Sequence, residues 1–372
     1  MYHPVVIRRL YVHNFRCLEN FELNLSGQSS VLLIGKNGSG KTAIGLALQI
    51  LQKIARGTNR VSELVQPKDF FLGRTDAPMR FEIEIELNAK TYGYSVSFEI
   101  QKELKEPAVV EEVFTADGRL RYHRNLGDTR LTRPEREDNL LIDWQLVALP
   151  IIQRPSKDDP VFVFRRWLAR MIIIRPVPSL IMGGSEQETL EPNADVTNFG
   201  AWFTGLLVSA PSAYSEIDRY LKQVMPDLKD IQNPVVGADY RSLVVQFSSD
   251  KESISLPFAD LSDGEKCFMI SALVLAANHG YGPIFCFWDE PDNYLALSEI
   301  GQFVLALRKA FQSGGQLVAT SHNSEVIRSF SDENTLLLYR NNHLEPTRIR
   351  PLKDAQISGD LVGALIRDDI EP

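Results

Sequence analysis

Cysteine is scarce in this chain: Cys17, Cys267 and Cys286 are its only three, far apart, with no CxxC pair among them. A disulfide scaffold needs paired cysteines and a thiolate zinc site needs clustered ligands, so neither organises this protein, and the three thiols are expected to be reduced and mostly buried. The six histidines show no metal-ligand spacing. Positive charge is also in deficit. With 40 Lys+Arg against 48 Asp+Glu the formal net charge is −8, which excludes a protein that coats nucleic acid by bulk basicity but leaves room for a local basic groove. No uninterrupted apolar run approaches the roughly 20 residues that span a bilayer. The opening Met1-Tyr2-His3-Pro4 lacks the charged-then-apolar pattern of a signal peptide. A cytoplasmic protein without a membrane partner is expected. What is present is ordinary globular material, 44% hydrophobic and 24% charged over 372 residues, enough for two or three domain-sized units.

Residues 5–15 and 21–25 are rich in β-branched and aromatic side chains with loose alternation, and predict an antiparallel pair of strands. Ser30-Val31-Leu32-Leu33-Ile34 is a continuous apolar run, suited to a strand buried on both faces. A helix with apolar spacing follows over 43–55, and residues 80–87 and 92–100 predict another antiparallel pair. From about 102 to 192 prolines become frequent, periodicity fades and arginines accumulate, the texture of an insertion. Beyond it, helices are expected over 196–210, 213–224, 262–278 and 298–311, with strands over 240–247, 284–288 and 316–320. Strands alternating with helices imply an α/β fold with a parallel core sheet. Three segments result: an N-terminal lobe 1–101, the Arg-rich insertion 102–192 and a C-terminal lobe 193–372.

Three clusters carry chemistry. Gly35-Lys36-Asn37-Gly38-Ser39-Gly40-Lys41-Thr42 completes the pattern G-x-x-x-x-G-K-[ST] between a buried strand and a helix. Its glycines let backbone N–H groups converge on phosphate oxygens at a helix N-terminus, Lys41 reaches the β- and γ-phosphates, and Thr42 ligates Mg²⁺. ATP is therefore the expected ligand, with Mg²⁺. The second cluster is the apolar strand ending in Asp289-Glu290-Pro291, at the strand end where α/β sheets bind ligands. Adjacent strand residues point opposite ways, which predicts a division of labour, with Asp289 on the metal and Glu290 on the attacking water. In the third, Ser262 followed by Glu265 reads as a capping box, and the helix start that it marks can also hold an anion.

Leu261-Ser262-Asp263-Gly264-Glu265-Lys266, just ahead of the Asp289-Glu290-Pro291 strand, resembles the signature motif of ABC-type ATPases. Asn14-Phe15-Arg16 near the start, and Thr320-Ser321-His322-Asn323 after the last buried strand, are similar to the branch containing RecF, the SMC proteins and the ATPase heads of the overcoming-lysogenization-defect (OLD) nucleases. The motif order covers roughly half the chain, and the middle is unmatched apart from Asn198-Phe199. The resemblance implies an ABC-type P-loop NTPase head with a parallel core sheet, an antiparallel N-terminal sheet and an inserted helical or irregular arm. It also implies a homodimer with composite ATP sites, in which Lys41 of one copy is capped by Ser262 and Gly264 of the other. His322, which alone reads as a structural residue, then contacts the γ-phosphate or orients the water. Gln66 is the candidate for the family's Mg²⁺-sensing glutamine, with an ordinary loop position as the alternative. Arg16 is expected either to approach the nucleotide or to pair with a carboxylate. Where relatives often carry a histidine or aspartate after a leucine, this chain has Leu295-Ala296.

The insertion holds Arg119, Arg121, Arg124, Arg130, Arg133, Arg136, Arg165, Arg166, Arg170 and Arg175. They read as a surface for DNA, another nucleic acid or an acidic partner, or else as a salt-bridged face, since Glu135, Glu137 and Asp138 are interleaved. Only about 50 residues follow His322, too few for the Toprim nuclease domain of an OLD protein, and there is no room for an SMC coiled coil. The expectation is an ATP-hydrolysing dimeric switch without nuclease activity of its own, controlling a separate nuclease or toxin in bacterial anti-phage defence. A RecF-like recombination or repair factor is the alternative. Two other classes, a small-molecule P-loop kinase and a transporter ATPase, fit less well, because of the signature motif and the leading strands respectively.

Overall fold

Alternation of apolar and polar residues is cleanest in Met79–Leu87, where every second side chain is buried, and this strand sits inside the largest sheet of the protein. A computed structural model describes residues 6–101, 105–132, 137–152, 156–330 and 332–354. They divide into two compact units, one formed by residues up to 171 together with those from 332 on, the other by residues 172–331. These boundaries differ from the three segments expected above.

The first unit contains strands β1 (Val6–His13), β2 (Phe21–Asn24) and β3 (Ser30–Ile34), helices α1 (Lys41–Arg56) and α2 (Val61–Leu64), and strands β4 (Met79–Leu87) to β9. The last five of these are β5 (Lys90–Ile100), β6 (Pro107–Ala116), β7 (Arg119–Asn125), β8 (Asp128–Thr132) and β9 (Glu137–Leu141), and helix α3 is Pro160–Ala169. The antiparallel order is β2-β1-β4-β5-β6-β7-β8-β9. The texture read as an irregular insertion thus holds four further strands of the N-terminal sheet. Register shifts between Ser97 and Phe98 and between Phe114 and Thr115 break the two-residue period there, and a bulge of this kind hides a strand from pattern reading. Two strands from much later in the chain, β19 (Thr335–Tyr339) and β20 (Arg348–Pro351), complete the unit. β19 runs parallel to β3, with Leu33 opposite Leu336, and pairs antiparallel with β20.

The second unit has a parallel core, β10 (Ile172–Ile174), β17 (Phe285–Trp288) and β18 (Gln316–Thr320), buried throughout. Ile174 lies opposite Trp288, and Trp288 opposite Ala319. Between β10 and β17 the chain forms β11 (Gly184–Ser185), helices α4 (Phe199–Ser209) and α5 (Ala213–Val224), and the strands β12 (Leu228–Gln232) and β13 (Val235–Val236). There follow β14 (Tyr240–Ser242), β15 (Val244–Ser248), β16 (Ser253–Pro257) and helix α6 (Asp263–Gly280). Helix α7 (Leu297–Gln312) precedes β18 and α8 (Ser324–Ser329) follows it. Helix α6 is apolar on most sides, and α4, α5 and α7 pack around it. Among the described residues no helix is long and apolar enough to cross a membrane.

Candidate functional site

The buried strand β3 delivers the chain to a loop that bends through left-handed glycines before α1 begins. Gly35, Gly38 and Gly40 have φ of 150°, 81° and 105°, values that side chains resist. A Cβ on Gly35 would stand 2.2 Å from the Leu338 carbonyl oxygen, and one on Gly40 would stand 2.6 Å from Thr347 Oγ1. A loop that turns its N–H groups inward must turn carbonyls outward, and here the outward carbonyls have donors. Lys41 Nζ donates to Gly35 O at 2.7 Å and to Lys36 O at 3.2 Å. Arg340 Nη1 donates to Gly38 O at 3.4 Å, and Thr347 Oγ1 to Ser39 O at 2.8 Å. The turn joining β19 and β20 therefore grips the loop from outside. Ser39 Oγ is buried with no hydrogen-bond partner among the described residues. α1 starts without an acidic residue in its first turn, so its positive end is left for an anion. An orphaned hydroxyl beside a glycine nest fits a phosphate chain.

Arg16 and Gln66 belong to one neighbourhood of the first unit, joined through Asp69. Arg16 Nη2 lies 3.0 Å from Asp69 Oδ1, and the Gln66 N–H donates to Asp69 Oδ2 at 3.0 Å. Arg16 takes the carboxylate-pairing option, and Gln66 is exposed at the start of the short turn Pro67–Asp69. Asn14 is buried and structural. It donates to the carbonyls of Arg74 and Ala77 at 3.0 and 2.7 Å and accepts from Phe71 N–H.

In the second unit β17 ends at Trp288, and both carboxylates lie just past it. Glu290 has φ 55°, so the pair is splayed by a left-handed turn rather than by strand alternation, a correction to the sequence reading. One hydroxyl ties them together. Thr320 Oγ1 donates to Asp289 Oδ1 at 2.6 Å and accepts from Glu290 N–H at 2.9 Å. His322 Nε2 stands 3.6 Å from Glu290 Oε1, and Asn293 Nδ2 donates to Glu290 Oε2 at 2.6 Å. Burial pushes the neighbouring Asp292 carboxyl up, opposed by hydrogen bonds from Ser321 and Asn323. Glu290 is therefore held by histidine and amide partners in a partly open position, the setting of a group that accepts a proton from water.

The expected capping box is present. Ser262 Oγ accepts from Glu265 N–H at 3.3 Å, and Ser262 N–H donates to Glu265 Oε2 at 2.7 Å. Ser262 is exposed and Gly264 half-buried, with room at Gly264 limited by Tyr294 O, 3.1 Å from where a Cβ would stand. Lys266 is buried and donates to Pro178 O at 3.2 Å.

The arginines of 102–192 divide. Arg124 is fully buried and not available to nucleic acid. Its guanidinium donates to carbonyls of Leu126, Leu146 and Asp143 and stands 3.8 Å from buried Glu112. Burial pushes the Glu112 carboxyl up, opposed first by the Ala148 N–H, then by the Tyr122 hydroxyl and Leu149 N–H. Arg165 is spent on the carbonyls of Ala55 and Pro150. Arg119, Arg130, Arg166 and Arg175 are exposed, and Arg121 and Arg170 half-buried. Arg133 and Arg136 lie outside the described residues. The polar face of the large sheet carries both signs, for instance Arg9 between Glu22 and Glu82, each at 2.7 Å. That is a salt-bridged face more than a basic groove.

The sequence did not single out Thr320 or Thr347 as site residues, and it grouped Arg175 with the arginines of the insertion rather than with Asp289. Thr320 opens the quoted Thr320-Ser321-His322-Asn323 motif, so its signal was present, whereas Thr347 lies in no motif. As to metal, no group of three His, Cys, Asp or Glu among the described residues could hold an ion unaided. A carboxylate or a hydroxyl completed by phosphate oxygens and water suits Mg²⁺; Thr42 of the first unit and Asp289 of the second are donors of these two kinds.

Two solved structures share this fold. The Smc head bound to the C-winged helix domain of ScpA is 14% identical over 93% of this chain and 98% of that one, with a TM-score of 0.55. An Smc head domain with an extended coiled coil, bound to the C-terminal domain of ScpA and derived from Pyrococcus furiosus, is 12% identical over 94% and 97%, with a TM-score of 0.50. The ABC-type, SMC-like head expected from the motifs is thus the fold found. Among curated proteins none matches by sequence. Residues 30–328, from the strand before the phosphate loop to the helix after His322, match the family described as "AAA domain, putative AbiEii toxin, Type IV TA system", and the chain belongs to that family.

Proposed function

We propose that the chain binds ATP with Mg²⁺, hydrolyses it, and uses the nucleotide to bring two copies together in the cytoplasm as a switch that controls a partner effector. The observation that carries this reading is the phosphate loop: three left-handed glycines, outward carbonyls held by their own donors, and a buried Ser39 hydroxyl with no partner among the described residues. Lys41 exchanges its loop carbonyls for the β- and γ-phosphates, a charge-assisted and therefore stronger pairing. Thr42 and Asp289 hold Mg²⁺, which when bound neutralises charge on the phosphate oxygens. Glu290 takes the proton of the attacking water, with His322 and Asn293 keeping its carboxylate in place.

Ser262 and Gly264 serve the partner copy's γ-phosphate. An exposed, capped helix start with a hydroxyl supports this role, because such a terminus offers N–H groups and a positive dipole to an incoming anion. Contacts to one phosphate from two copies give ATP a large differential affinity for the closed dimer, which is what a population shift requires. The effector is a nuclease or toxin in bacterial anti-phage defence, a reading supported by the family's description. Contact with DNA rests on the exposed Arg119, Arg130 and Arg166 alone.

Glu290→Gln tests the core of the reading. It removes the proton acceptor and keeps the shape, so the variant accumulates an ATP-bound dimer in size-exclusion chromatography while the wild type cycles. A Glu290→Gln chain that stays monomeric with saturating Mg-ATP would refute the composite site.

A further inference from the structure

Among the described arginines of the 102–192 group, Arg175 stands beside a proposed functional carboxylate. It follows β10 directly, and Asp289 N–H donates to Ile174 O at 2.9 Å. Parallel pairing thus brings Arg175 and Asp289 to the same C-terminal edge of the strands, where α/β sheets bind ligands. Arg175 Nε lies 3.8 Å from Asp289 Oδ2, while Oδ1 accepts from Thr320. The base of the arginine is anchored, since its N–H donates to Ala194 O at 2.6 Å and Pro176 follows. Its side chain is 62% exposed and able to turn.

A guanidinium and a divalent cation compete for the same carboxylate oxygen, because two positive charges on one oxygen repel each other. The guanidinium has an alternative, since its planar fork pairs well with phosphate. We propose that Arg175 is a positioning residue that keeps Asp289 charge-compensated in the nucleotide-free chain and moves to phosphate when Mg-nucleotide arrives. This rests on the reading that Asp289 receives the cation. Cation entry and arginine release are then one exchange, and linkage makes the competition reciprocal. Without the arginine, a divalent cation binds Asp289 more tightly in the absence of nucleotide.

The test uses Mn²⁺ as the probe on the full chain without nucleotide, with free Mn²⁺ read by electron paramagnetic resonance. Arg175→Ala is expected to bind Mn²⁺ about fivefold more tightly than the wild type, the lower end of typical coupling. Arg175→Lys keeps the charge and stays within about twofold of the wild type. Adding Asp289→Asn to Arg175→Ala abolishes the gain. Equal affinity for wild type and Arg175→Ala overturns the proposal, as does a gain that survives Asp289→Asn or appears equally in Arg175→Lys. A fluorescent ATP analogue titrated with Mg²⁺ is the separate arm: a wild type that fails to bind it defeats the ATP reading, whatever the Mn²⁺ arm shows.

Discussion

Replacing Thr347 by valine removes one oxygen and almost no volume, which isolates what the turn between β19 and β20 does for the phosphate loop. The hydroxyl is buried in a residue only 3% exposed and donates to Ser39 O at 2.8 Å. Valine leaves that carbonyl without its donor, in a place where Gly40 already fits against the side chain with little clearance. Leaving a buried acceptor unsatisfied costs about 1–3 kcal/mol, or about 5- to 150-fold in an equilibrium constant. If the carbonyl turns inward to find another donor, it displaces an N–H meant for phosphate and the loss falls on nucleotide affinity. If the loop keeps its shape, the loss falls on the fold, at roughly 2–4 °C of Tm per kcal/mol in a domain of ordinary size. Isothermal titration with ATP and Mg²⁺, together with thermal unfolding without nucleotide, captures both routes. Thr347→Ser, which keeps the hydroxyl, restores most of either loss. Unchanged affinity and unchanged Tm in Thr347→Val would refute the idea that this donor shapes the loop.

Arg124→Met leaves Glu112 buried without its cation and strips donors from four carbonyls. It should destabilise by about 3–5 kcal/mol in urea unfolding, whereas exposed Arg130→Glu should stay within about 0.5 kcal/mol; similar midpoints for the two would sink the assignment. Burial pushes the Cys267 thiol up to about 12, and that of Cys286 up as well, so native-state iodoacetamide at pH 8 should label Cys17 alone in peptide mass spectrometry. Comparable labelling of either buried cysteine would contradict the packing around α6 and β17.

Features whose physics is local were legible in the sequence. The phosphate loop, the capping box at Ser262 and the buried strands β3, β17 and β18 each depend on neighbours a few positions away, and they appear within a residue or two of where the pattern puts them. Features created by distant chain were not. Arg124 looks like one more surface arginine until Glu112, Leu126, Asp143 and Leu146 close around it. β6 and β7 carry interrupted alternation because bulges and a buried ion pair override it. The splay of Asp289 and Glu290 comes from a left-handed residue before proline, which strand periodicity does not announce. Thr347 has no local signature, since its role exists only once β19 lies beside β3.

That pairing has a consequence for how the protein is made. The first unit is built from two stretches of chain with the whole second unit encoded between them. A ribosome finishes Gly35 to Thr42 early, yet Leu338, Arg340 and Thr347, which brace the loop, emerge only after residues 172–331 have been synthesised. Domains fold in the order in which they are made, so a growing or truncated chain carries the complete motif while lacking the wall behind it. A chain that ends before residue 332 is therefore expected to bind nucleotide more weakly than the full chain, although its phosphate-loop sequence is intact.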